Sequence, residues 1–395
     1  MPNRLKKTLW IGGIFLLLLN VYRISNKNWN YADPIDFRGI YVGSKLLISS
    51  PNLYNDSLGA EIWSNLKSSE SFESLSNFGD KYVSISLYPP IAFTTFYPIS
   101  LVPWKTARLI WWLECIAGLI VLMFFIYLKT NSWELIIFGL GTSATFFALS
   151  LGQPLLIAIA FITLSILFYQ KNPLLAGALL GIAMIKFSVV MPFGIWFLAK
   201  KQFKVVAACS ITTILLFVPV LIINLDFIPQ WLNKTSWYYE FIYQPNDQNI
   251  YTFSNSELSS FLHYYFPQEI KIWKGLNIIG QLFGYGLMAV MFFKRKLTDN
   301  FLMIGLLLVS FVFSYHLSYD PLLFLLPLAL EHNSKQSLFV LAFLFLLSLP
   351  FNAVAADITL IKFNYPILCF AALILFIFAA LKNKLVSNQP INTLN

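Results

Sequence analysis

Two aspartates three residues apart, Asp33 and Asp36, stand in DPIDFRGIYVGSK (33–45), the first polar stretch after an apolar run. Arg38 and Lys45 lie beside them. A carboxylate at a membrane edge can act as a general base and deprotonate an incoming hydroxyl. Sugar transfer through an oxocarbenium-like transition state needs such a group and little else from protein acids. The plainer reading is a helix cap, because DPID is a good start for a helix through Arg38–Leu47.

Other polar groups interrupt apolar runs further on. Lys186 is centred in LLGIAMIKFSVVMPF. An intramembrane lysine costs a few kcal/mol and suits a phosphate; the alternative is a snorkelling side chain at a helix end. SYHLSYDPLLFLLP carries His316, Tyr319 and Asp320 between two apolar runs. They can meet a phosphate or a sugar hydroxyl, or they form an interfacial hairpin whose Asp320-Pro321 starts a helix. Gln153 sits in the turn SLGQPLLIA, and Tyr88 opens YPPIAFTTFYPISLVP.

Several chemistries are missing from the sequence. It has no glycine-rich phosphate loop, HExxH, CxxC, GxSxG or DxD. No metal and no cofactor is expected. Cys115, Cys209 and Cys369 fall far apart in apolar runs and read as small buried hydrophobes. Asn55-Asp56-Ser57 and Asn233-Lys234-Thr235 match a glycan sequon, which carries no weight in a bacterial chain, the expected source.

The elements that must position these groups are membrane helices. The 395 residues are 58% hydrophobic and only 11% charged, with mean hydropathy +0.69. A soluble domain carries about 25% charged residues. Continuous apolar runs predict an all-α, polytopic integral membrane protein of about 11–13 transmembrane helices, not a barrel. The net charge of +9 comes from short clusters between apolar runs. That is the positive-inside pattern, and no nucleic acid partner is expected.

The first helix is expected over Thr8–Tyr22, retained, with RLKK at its cytoplasmic start. Residues 23–86 hold seven acids and six bases, so they lack the positive excess of a cytoplasmic loop and are placed outside as loop 1. Residues 224–271 hold five acids against two lysines and form loop 2, also outside. Lys129, Lys171, Lys200, Lys201 and Lys204 share the cytoplasmic side under two conditions. Pro173–Lys186 and Val189–Ala199 must be half-length spans hinged near Lys186, and Tyr88–Pro103 must not cross. The bacterial inner membrane, with a cytoplasmic N-terminus, is the expected location.

The order of features resembles glycosyltransferase family 87, within the C-type membrane glycosyltransferases. DFRGIY (36–41) followed by NLY (52–54) matches its first element. Tyr88-Pro89-Pro90 with Trp111-Trp112 matches the second. Gly152-Gln153, Ala176-Gly177 and Lys186 match the third, and His316 with Tyr319-Asp320 the fourth. Two positions depart: Phe187 stands where the family usually has proline after the lysine, and Ser49-Ser50-Pro51 where a glycine precedes the Leu-Tyr element.

The resemblance implies one membrane domain of about a dozen helices with an outer-loop site fed from the lipid. It implies metal-independent, inverting transfer of a hexose, mannose above all, from a polyprenyl-phosphate sugar to a glycolipid or glycan. Asp36 would be the base with Asp33 as fallback. Lys186, His316 and Arg38 would hold the donor phosphate, and Gln153, Tyr88, Tyr319 and Asp320 the sugar or acceptor. A transporter or lipid-linked-glycan flippase, an O-antigen polymerase or ligase, and a non-catalytic scaffold remain the alternatives.

Overall fold

The computed structural model describes residues 3–26, 34–70, 88–242, 256–259, 262, 266, 270–294, 297–330, 337–348 and 364–382. Asp33 lies outside them. Among the described residues the architecture is all-helical. In chain order the helices are α1 (Asn3–Asn26), α2 (Ile35–Ser49), α3 (Asp56–Glu70), α4 (Pro90–Ser100), α5 (Trp104–Thr130), α6 (Trp133–Gly141), α7 (Ser143–Ser150) and α8 (Leu155–Phe168). Then follow α9 (Pro173–Ile182), α10 (Phe187–Ala199), α11 (Phe203–Ile223), α12 (Phe227–Ile242), α13 (Ile270–Phe293) and α14 (Asp299–Phe313). The last three are α15 (Leu325–Leu330), α16 (Ser337–Ser348) and α17 (Asn364–Leu381).

Local sequence starts several of these. Ser132, Thr142, Asn172 and Thr298 accept a backbone N–H from the first turns of α6, α7, α9 and α14. Pro173 occupies the first turn of α9, where its missing N–H costs nothing.

Among the described residues four helical stretches are long and apolar enough to cross a bilayer by length and composition, one of them the folded-back Pro173–Ala199, and α6 with α7 forms a fifth, bent by 57°. Five more apolar helices are shorter. The expected eleven to thirteen passes are reached only by counting half-length helices.

The α9–α10 pair is the clearest case. As one straight rod its 27 residues would measure roughly 40 Å. Instead Lys200 Nζ, past the end of α10, lies 3.2 Å from the hydroxyl of Tyr169, just before α9. The chain turns between them through a 3-10 turn, Ala183–Lys186, and Lys186 leaves the helical region at φ −129°, ψ 74°. The stretch is therefore a hairpin with both ends on one side and Lys186 at its tip.

Packing against α11 agrees. Gly177 meets Val205 and Cys209, and Gly181 meets Cys209 and Thr212, so α9 and α11 run parallel. A chain that goes up α9 and up α11 must come down α10 between them. Lys171, Lys200, Lys201 and Lys204 then share one end, opposite Lys186.

Helix α4 has 11 residues, a rise of roughly 16 Å against a core of about 30 Å. Tyr88 before it bonds Gln153, and Tyr41 on α2 donates to the carbonyl of Val102 after it, at 2.7 Å. Both ends of α4 therefore sit near α2, one through Gln153 and one through Tyr41. Helix α5 starts there and runs parallel to α8: Trp111 meets Gly152, and Gly118 packs on the backbone of Leu156. Lys129 thus joins the other lysines at the far end, where Lys6 lies 4.0 Å from Glu134.

Candidate active site

Helix α2 carries Asp36, and aromatic packing holds it. Phe37 stacks on Trp111 with ring centroids 4.2 Å apart and on Trp104 at 5.4 Å. Tyr41, one turn later, meets the Trp104 ring edge-on. These rings are buried, so the helix has one seat on α5. Its start is fixed as well: Asp36 N–H donates to the carbonyl of Leu151 at 3.3 Å.

The turn beneath Asp36 demands glycine. Gly152 has φ +61°, and a β-carbon there would fall 2.3 Å from Pro34 Cβ. Trp111 Nε1 donates to its carbonyl at 2.8 Å. This turn presents Gln153, whose amide nitrogen donates to Asp36 Oδ2. Tyr88 donates its hydroxyl to the other end of the same amide at 3.2 Å.

A second cluster comes from the hairpin tip and the turn after α14. Lys186 Nζ lies 2.6 Å from Asp320 Oδ1 and 4.3 Å over the Tyr319 ring. Asp320 Oδ2 takes His316 Nδ1 at 3.0 Å and the N–H of Leu317 at 3.1 Å. His316 Nε2 bonds Ser310 Oγ at 2.8 Å, and its ring lies flat on Phe311.

The two clusters meet. Asp36 is in the segment between α1 and α4, outside the crossing helices, and half-buried. Loss of hydration among the surrounding protein pushes its carboxyl up from the ordinary 3.8 to about 7. The Lys186 charge and the Gln153 hydrogen bond oppose that rise, and Asp320 adds to it. Tyr319 in turn feels the charges of both Asp36 and Asp320. A carboxylate poised near neutrality beside a partly open lysine can accept a hydroxyl proton while a phosphate leaves.

Seven expected residues, Asp36, Lys186, Gln153, Tyr88, His316, Tyr319 and Asp320, thus come together. Arg38 does not join them at Asp36's side. Two positions along a helix turn it about 200° from Asp36, and its guanidinium stands 4.5 Å over the Trp63 ring of α3. His316 is fully buried, with both ring nitrogens engaged, while Lys186 keeps 11% of its side chain exposed. Ser310 was not foreseeable: it lies inside the apolar run of α14 with no spacing signal. Nor was Gln230, which joins loop 2 to loop 1 by bonding both Leu53 N–H and the Pro51 carbonyl at 3.0 Å. Among the described residues no group of three or more His, Cys, Asp or Glu is arranged to hold a metal.

No curated protein and no solved structure matches the chain. The sequence profile of glycosyltransferase family 87 matches residues 87–317. That span takes in Tyr88, Gln153, Lys186 and His316, all four drawn to the wall around Asp36. With more than half of its length matched, and with apolar helices long enough to cross a bilayer, the chain belongs to glycosyltransferase family 87 and is a membrane glycosyltransferase.

Proposed function

We propose that the protein transfers a hexose, mannose above all, from a polyprenyl-phosphate donor to a glycolipid or glycan acceptor on the extracytoplasmic face of a bacterial inner membrane. Asp36 is the general base, and transfer inverts the anomeric centre. The observation that carries this reading is the pairing of a near-neutral carboxylate with Lys186 at the tip of a half-length hairpin.

Depth favours a lipid donor. The arm Pro173–Lys186 rises roughly 23 Å, and the 14-residue α8 roughly 21 Å. Measured from the lysine-rich end, Lys186 and Gln153 both stop short of a core about 30 Å thick. A phosphate bound there sits below the headgroup level, where a prenyl chain brings it and a water-soluble sugar nucleotide does not go.

Charge favours one phosphate. Among the described residues Lys186 is the cation that acts on Asp36, and Asp320 already offsets part of its charge. That suits a monophosphate better than a pyrophosphate. In this reading Lys186 holds the phosphate oxygens and the growing negative charge on the leaving group. Asp320 and His316 hold Lys186 rather than touch the donor, and Tyr319 faces the sugar.

In the step itself, the acceptor oxygen attacks the anomeric carbon. Asp36 takes the hydroxyl proton, and the bond from that carbon to the phosphate oxygen breaks. The bonding pair stays with the prenyl phosphate. The phosphate is a good leaving group, so one carboxylate suffices, and added chelator is expected to leave the rate unchanged.

The test is mass spectrometry of glycolipids from a deletion strain, complemented with the wild-type chain or with Asp36→Asn. A precursor one hexose short, restored by wild type but not by Asp36→Asn at equal membrane level, supports the proposal. Restoration by Asp36→Asn overturns it. Labelled sugar accumulating unmodified in vesicles would favour a transporter instead.

A further inference from the structure

Gln153 was expected at the sugar or acceptor, yet its side chain is 1% exposed and both ends of its amide are taken. We infer that Gln153 is a positioning residue for the base, locked by Tyr88 so that its nitrogen occupies Asp36 Oδ2 and Oδ1 alone is left to receive the proton. The inference rests on the reading of Asp36 as base.

The lock follows from donor and acceptor inventory. A glutamine amide has a donating end and an accepting end, and either can be turned toward a neighbour. An ionised carboxylate only accepts, so facing it with the amide oxygen would set two acceptors together. The carboxylate thus turns the amide nitrogen toward itself, and Tyr88, whose hydroxyl can donate or accept, completes the arrangement by donating to the amide oxygen at 3.2 Å.

Each member is held independently. Tyr54 donates to the Tyr88 carbonyl at 2.9 Å. Gln153 N–H bonds the carbonyl of Ala148 at 2.9 Å, and the preceding Gly152 carbonyl is taken by Trp111. Asp36 is seated through Leu151, in the same turn. The base and its orienting amide therefore share one rigid support.

The consequence is kinetic. A hydrogen bond to the charged carboxylate favours ionisation, and Gln153 does act in that direction on Asp36. The charged groups that act on Asp36 from the packed elements are Lys186 and Asp320, and Tyr319 is close enough to feel it. None of these replaces a directed donor at Oδ2.

The experiment uses membranes containing the full chain, radiolabelled synthetic polyprenyl-phosphate mannose, and lipid extract of the deletion strain as acceptor. Tyr88→Phe should lower turnover by up to about ten-fold, the upper end of what one neutral hydrogen bond is worth. Its acidic limb should move up by about one pH unit, with KM for the donor unchanged. Gln153→Leu should move the limb the same way. Gln153→Asn, an amide one methylene short, should fall between it and wild type. Raised KM with an unmoved limb would make these sugar-binding residues and overturn the inference, as would wild-type kinetics in Tyr88→Phe. Melting of the detergent-solubilised variants separates loss of fold from loss of alignment. Failure of the underlying reading looks different, because Asp36→Asn would then be active or the labelled donor unused by wild type.

Discussion

Lys186 and Asp320 are 134 residues apart in sequence, yet their charged atoms lie 2.6 Å from each other. One is the tip of the α9–α10 hairpin, and the other opens the turn that leads into α15. Both side chains are nearly closed to solvent, at 11% and 2% exposed. Removing one member of such a pair strands the other charge, at a cost of about 3–5 kcal/mol. Replacing both by apolar groups of similar size is often neutral. Lys186→Met and Asp320→Leu should each melt at lower temperature in detergent, and the double variant should recover much of the loss. None of the three should transfer sugar. A double variant that is stable and active would show that the pair only supports the fold.

A second prediction concerns pH. Asp36 works as a base only when ionised, and its carboxyl ionises near 7. Turnover should therefore fall as pH drops through about 7, ten-fold per unit below it. Stability runs the other way. The fold raises this carboxyl above its ordinary 3.8, so it favours the protonated form. The contribution is present below about 4 and is lost as pH rises through about 7. Asp36→Asn, which cannot ionise, should match wild type in melting temperature only near pH 4 and should gain on it steadily as pH rises from there to about 7. A wild-type rate that stays level from pH 8 to pH 5 would place the base elsewhere.

Gly152→Ala should be inactive out of proportion to its size. Left-handed backbone costs an alanine roughly 1 kcal/mol. The larger effect is contact, because the new carbon would meet Pro34, two residues before Asp36. Either the turn or the start of α2 must shift, and both carry the alignment of Gln153 with Asp36. Turnover should drop by a factor of ten or more while the folded amount in membranes changes little.

Residue type and chain order made much of the site legible. Gln153, Lys186 and His316 each interrupt an apolar setting where a polar group is costly, Asp36 stands in the first polar stretch, and all four end at one wall. The lysine distribution also made the hairpin at Lys186 readable, since only a return leaves Lys171 and Lys200 on one side. What stayed hidden was set by tertiary pairing. Nothing in the sequence tells that Asp320 faces Lys186, nor that His316 lies behind that pair against Ser310 and Phe311. Arg38 was a different matter: it was expected as a cation on the same side of the membrane, and helical period alone turns it from Asp36.

The sidedness of α4 is open to direct chemical test. Sequence alone allowed Tyr88–Pro103 to cross or not, and the two cases send Lys105 to opposite faces. Helix α4 is too short to cross, and Tyr88 and Val102 at its flanks both bond within the Asp36 region. Lys105 should therefore share a face with loop 1, and Lys129 and Lys204 should lie on the other. All three side chains are exposed, as is Ser57 on α3. In a chain whose Cys115, Cys209 and Cys369 are replaced by alanine, single cysteines at these four positions can be treated with a membrane-impermeant maleimide. Ser57→Cys and Lys105→Cys should label in intact cells. Lys129→Cys and Lys204→Cys should label only after the membrane is opened. Labelling of Lys105→Cys together with Lys129→Cys would contradict the path of α5, because its 27 residues connect the two. Labelling of Lys105→Cys only in opened membranes, with Ser57→Cys still accessible, would mean that α4 crosses and that Asp36 and the start of α5 cannot share a wall.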